Sequence, residues 1–112
     1  MLLQVFLAGA GIFTSPSWFA MHRFFGNALS VFPIAMLILA LVGRQPRLRV
    51  VLSGLLFVLV GLQGALIQAP RSMGAPLISA LHPVNALVIF ALGAALLYAV
   101  WHDVRQTAEP AH

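Results

Sequence analysis

The chain of 112 residues contains no cysteine, no lysine and only two acidic residues, Asp103 and Glu109. Without cysteine it has no disulfide, iron–sulfur cluster, thiolate-held or covalently attached haem, and no thiol nucleophile. Without lysine it has no Schiff-base chemistry. Both acids lie near the C-terminus, so the apolar part of the chain offers no carboxylate for general acid–base catalysis, a cation site or a proton relay. A proton-coupled exporter is excluded on the same ground. Charged residues are 7% of the chain, where a soluble domain carries about a quarter.

What the chain has instead is 62% hydrophobic residues and a mean hydropathy of +1.02. A crossing of the hydrocarbon core takes about 20 apolar residues, so the chain is one integral membrane domain of four or at most five helical spans. The lipid bilayer is its solvent. The net charge of +4 comes from six arginines; lying between apolar runs, they read as a topology signal and not as a nucleic-acid surface.

Gly, Pro and Arg clusters divide the hydrophobicity into segments 1–13, 16–43, 50–69 and 76–101, with 102–112 as a polar tail. The expected fold is all-α, a four-helix transmembrane bundle with up-down-up-down topology built from two similar helical hairpins. Arg44, Arg47 and Arg49 share one loop and Arg105 follows the last span, which places both termini in the cytoplasm of a bacterial inner membrane. Trp18, Tyr98 and Trp101 are expected at the interfaces. The first segment makes only about 20 Å of helix, so the recorded start is expected to fall inside a longer first helix.

The hairpins resemble one another. Pro16 precedes His22 by six residues and Pro76 precedes His82 by six, a displacement of 60 for both pairs. Gln4 precedes the small-residue run at Gly9 and Gly11, and Gln63 stands between Gly61 and Gly64; Asn27-Ala28-Leu29 pairs loosely with Asn85-Ala86-Leu87. Proline suits a first helical turn, so Pro16 and Pro76 are read as helix starts. His22 and His82 then face each other at one depth on diagonal helices, a separation that suits two imidazoles on one metal at about 2 Å each. Gly26 and Ala86, one turn below, leave room for a flat macrocycle. Pro83 is expected to adjust the direction of His82 or bend its helix. Arg23 and Arg71 are candidates for its anionic propionates, and Gln63 for a further cofactor contact. The bland alternative has each histidine bonded to a backbone carbonyl or a glutamine, Gln4 and Gln63 tying helices together, and Gly9, Gly11, Gly61 and Gly64 serving close helix packing. A zinc or non-haem iron site would want three or four protein ligands.

The stretch Trp18-Phe19-Ala20-Met21-His22-Arg23 resembles the Glu-x-x-His-Arg element of haem A synthase. Leu62-Gln63-Gly64-Ala65 with Leu81-His82 resembles that family's Gln-and-Gly helix and following His helix. The likeness is to one four-helix half of that enzyme, over about residues 16–98, and the chain is also similar to small bacterial four-span proteins with paired histidines. The resemblance implies that His22 and His82 are axial haem ligands. Phe19 stands where the family has its catalytic glutamate, so haem A synthesis is not implied, and no catalytic residue is assigned.

The expectation is one bis-histidine b-type haem used for one-electron transfer or as an accessory subunit of a larger membrane complex. A redox partner or a second copy of the chain would be its partner. Two other functions stay open: a cofactor-free structural or assembly subunit, and a quinone or lipid site.

Overall fold

The computed structural model describes residues 1–108, apart from the side chains of Arg71 and Ala108. Within a bilayer every backbone N–H and C=O must be satisfied inside the segment, and the described chain is accordingly helical. α1 is Leu2–Phe13, α2 Trp18–Leu29, α3 Val31–Val42, α4 Arg47–Ser72 and α5 Leu81–Ala108, with a 3₁₀ segment Pro76–Ala80 leading into α5. Three stretches are long and apolar enough to cross a membrane: Trp18–Val42, Arg47–Pro70 and Pro76–Thr107. The protein is a helical membrane bundle. α1, with 12 residues, reaches about 18 Å.

The segment expected as one helix over 16–43 is broken at Ser30. The reason is Pro33, which has no N–H for the Leu29 carbonyl and whose ring crowds the preceding turn. At the break the Ser30 N–H and Oγ both donate to the Asn27 carbonyl, at 3.2 and 2.6 Å. The third span is longer than 50–69, because Arg47 and Arg49 belong to α4, not to the loop. Its N–H groups at Arg49 and Val50 bond to the Pro46 carbonyl. There Arg49 pairs with Asp103 of α5 and donates to Gln45 Oε1. The last helix likewise runs through 102–108, read from sequence as tail. Glu109 and His112 lie outside the described residues.

α4 ends in a Schellman turn. Gly74 at φ +70 takes the left-handed position and the Ala75 N–H reaches back to the Pro70 carbonyl at 2.8 Å, satisfying a carbonyl that the helix end would leave bare. Of the two prolines read as helix starts, Pro76 opens the 3₁₀ segment that leads into α5, whereas Pro16 lies two residues ahead of α2, in a tight turn in which Trp18 N–H bonds Ser15 O and Phe19 N–H bonds Pro16 O. Pro83 lies in the first turn of α5, where its missing N–H falls at the junction between 3₁₀ and α geometry instead of bending an established helix.

Packing is uneven. Leu56, Ile89 and Leu96 form a core with Met36, Leu52, Leu59, Val60 and Leu92 around them, joining α3, α4 and α5. α1 packs against α2, with Leu7 buried. Among the described residues no Cα of α1 or α2 comes within 8 Å of α4, the 3₁₀ segment or α5. The first hairpin and the α4/α5 hairpin therefore make no close backbone approach to one another. Most large apolar side chains face outward, Phe13 and Leu77 at more than four-fifths exposure. In water such a surface would aggregate; in lipid it is the solvated face.

The glycines differ. A Cβ at Gly11 would lie 2.8 Å from the Phe19 ring, while one at Gly9 would meet nothing within 4 Å. Gly11→Ala is therefore expected to destabilise the α1/α2 pair by about 1–3 kcal/mol through overpacking. Gly9→Ala should be neutral or gain up to about 1 kcal/mol of helix propensity. Thermal unfolding in detergent followed by circular dichroism distinguishes the two, and equal effects would refute the close α1/α2 approach.

Candidate histidine-pair site

His22 is the fifth residue of α2 and His82 the second of α5, and the structure brings their rings together with centroids 6.1 Å apart and planes at 62°. Each ring is held from behind in the same way. His22 Nδ1 lies 3.0 Å from the Gln4 carbonyl and His82 Nδ1 lies 3.1 Å from the Gln63 carbonyl. A carbonyl only accepts, so each Nδ1 carries the hydrogen and each Nε2 keeps its lone pair. Neither ring has a second hydrogen-bond partner among the described residues. The repeat read from Pro16/His22 and Pro76/His82 is thus a repeat of geometry, each hairpin's first helix fixing the histidine of its second.

Beyond that the halves diverge. Asn85, buried and three residues after His82, donates through Nδ2 to the Leu59 carbonyl at 2.8 Å and to Gln63 Oε1 at 2.9 Å. Gln63 is thereby engaged at both ends, its carbonyl on His82 and its amide on Asn85, so it positions a histidine instead of presenting a free contact. The first hairpin has no equivalent. Asn27 is exposed and its carbonyl serves Ser30, so the loose match of Asn27 with Asn85 is not a structural one. Gln4 is 9% exposed, yet its Nε2 and Oε1 have no partner. Its amide reaches toward α2 at Gly26, where a Cβ would stand 3.3 Å from Nε2. Ser79, three residues before His82, also has a buried hydroxyl without a partner.

The remaining candidates distribute as follows. Gly26 is exposed and Ala86 half-buried, each one turn after its histidine. Arg23 is exposed beside His22 and makes no ion pair among the described residues. Arg71 belongs to the last turn of α4, its side chain outside the described set. Gly61 and Gly64 would meet nothing within 4 Å if given a Cβ, so the close-packing role expected for them is corrected, as it is for Gly9, which lines a shallow apolar groove with Phe6, Phe13 and Trp18. Their faces look onto open space because α4 packs on α3 and α5 through its other sides. Phe19, at the position of the glutamate in the resembling family, packs on Gly11. Among the described residues no three His, Cys, Asp or Glu side chains converge.

Asn85 is the residue that sequence reasoning placed only as part of a repeat. Its spacing of three from His82 puts it on the same helix face, and that was the available signal. The orphaned state of Gln4 has no sequence signal, since it depends on what α2 fails to offer opposite it.

Residues 4–70, more than half of the chain, match the model of a family of unknown function (DUF6220), and the chain belongs to that family. The matched region contains Gln4, His22 and Gln63 and stops short of His82. No curated protein and no solved structure matches the chain.

Proposed function

We propose that this DUF6220 member binds one b-type haem between its hairpins, where His22 and His82 would hold it. The observation that carries the reading is the ring spacing. Two metal–nitrogen bonds of about 2 Å each require two imidazoles close to one another, and these rings lie with centroids 6.1 Å apart. The donor chemistry agrees. Two imidazoles with Nδ1 bonded to a carbonyl and Nε2 bare are in the state of metal-ligating histidines, whose second nitrogen is oriented by a fixed acceptor. With two protein ligands and no carboxylate or thiolate, the other equatorial donors must come from a macrocycle.

The chain's own residues bind and orient. Gln4 and Gln63 fix the two rings through their carbonyls, Asn85 holds Gln63, and Gly26 and Ala86 keep the adjoining turns low. Arg23, with Arg71, supplies positive charge for propionates. When bound, the haem would supply one-electron redox chemistry. The chain would accordingly serve as an electron carrier or haem-bearing accessory subunit, working with a redox partner or larger complex. Its arginine-bearing end, with Arg44, Arg47, Arg49 and Arg105, would face the cytoplasm of a bacterial inner membrane.

The test is a visible spectrum of detergent-purified protein from native-type membranes, oxidised and dithionite-reduced, with a pyridine haemochrome assay. Sharp reduced α and β bands at about one haem per chain are expected. A featureless spectrum would defeat the reading and leave a cofactor-free structural subunit.

A further inference from the structure

At its arginine-bearing end α5 carries different chemistry on its two sides. Ile89, Leu96 and Asp103 follow one another at intervals of seven residues, two turns of helix, and so share one side. That side meets α4, through the Leu56–Ile89–Leu96 core and the Arg49–Asp103 pair. Ala94, Leu97, Tyr98, Trp101 and Arg105 fall on the opposite side at helical spacing, and all five are exposed. The first four line a shallow apolar groove that runs along about 10 Å of helix. Arg105 stands at its end, with the guanidinium carbon 4.9 Å from the centre of the Trp101 ring, within the range of a cation–π contact.

The charges are sorted in the same way. Asp103 is the only acidic side chain among the described residues, and Arg49 draws it onto the α4 side. Arg105 therefore has no ion pair among the described residues. Its contact with Trp101 uses the face of the guanidinium and leaves the N–H edge open, the edge that matches a phosphate with two parallel hydrogen bonds. A held cation at the polar end of an apolar groove, on a surface whose solvent is lipid, fits a molecule with one anionic headgroup and an apolar chain. We propose that this face of α5 binds an anionic phospholipid, with its phosphate on Arg105 and the upper part of one acyl chain along Trp101, Tyr98, Leu97 and Ala94. Tyr and Trp belong at that depth, where a ring meets both chain and headgroup. Charge also selects the lipid over a second copy of the chain, because two copies packed on this face about a two-fold axis along the membrane normal would bring two Arg105 side chains together without an acid between them. The surface is separate from the histidine pair, since His82 lies at the other end of α5.

The experiment uses Trp18→Phe protein, in which Trp101 is the only tryptophan, in phosphatidylcholine vesicles containing increasing fractions of a phospholipid brominated on its acyl chains, which quenches indole fluorescence on contact. Brominated phosphatidylglycerol is expected to show about fivefold higher affinity for the surface around Trp101 than brominated phosphatidylcholine. Arg105→Gln in the same background should bring that ratio to about one. Arg47→Gln removes a charge at the same end of the bundle, but from a residue two positions before Arg49 and so on the side of α4 turned away from α5, and should leave the ratio unchanged. Equal quenching by the two lipids would overturn the proposal, and so would a preference that survives Arg105→Gln. An equal fall in Arg47→Gln would reduce the effect to general surface charge and remove the site. If neither lipid quenches Trp101, protein covers the groove, and a second copy of the chain replaces the lipid as its occupant.

Discussion

Protein in which His22 and His82 are both replaced by alanine is expected to carry no haem, against about one per chain in the wild type, at unchanged helix content. The effect is large because the described site contains no substitute donor. Gln4 and Gln63 offer carbonyls that would then lose their partners, and His102, near Asp103 and contacting Tyr98, belongs to the opposite end of α5 from His82. The folded state should survive, because the packing that joins α3, α4 and α5 runs through Leu56, Ile89 and Leu96, and α1 with α2 makes no close backbone approach to α4 or α5. The haemochrome assay and far-ultraviolet circular dichroism read the two quantities separately. Full haem content in the double variant would show that the ring pair is a structural contact only.

Asn85→Leu should destabilise the α4/α5 hairpin by about 1–3 kcal/mol, the range expected when two buried hydrogen bonds are lost and the Gln63 amide is left without a partner inside a membrane protein. Leucine fills a similar volume, so the loss is polar and not a cavity. Gln4→Leu is the control. It removes a buried amide that has no protein partner, and in haem-free protein it should be neutral or raise stability by about 1 kcal/mol. Thermal unfolding in one detergent compares them directly. If both variants lose stability equally, the two halves are not asymmetric, and His82 is held no more firmly than His22. In haem-loaded protein Asn85→Leu should also broaden the reduced α band, because the acceptor that fixes His82 is no longer fixed itself.

The two glutamines show what could be read in advance. Both stand at matched positions near matched histidines, and the repeat alone placed the rings opposite each other. That glutamine carbonyls, and not side chains, would hold the rings depends on the register between helices 18 and 19 residues apart. Hydropathy sets no such register, because lipid-facing helices slide against one another with little cost in apolar contact. Gly61 and Gly64 make the same point. Small residues permit close packing, but only the placement of α3 and α5 around α4 decides which faces are packed and which stay open. The break at Ser30 was legible in Pro33, a proline inside a run that hydropathy alone joined as one span.

The sequence by itself determined the class of molecule. An apolar chain almost without charge has no water-soluble fold, and the bilayer, which satisfies no backbone hydrogen bond, leaves it the helical solution; the proline–histidine spacing then set two like hairpins with one imidazole each. The tertiary structure decided the rest: that the imidazoles meet with centroids 6.1 Å apart, that Asn85 closes the network behind one of them, and that the Gln4 amide behind the other is left unmet. Hydropathy acts on each helix separately, whereas hydrogen-bond saturation depends on which residues two helices bring within 3 Å of one another.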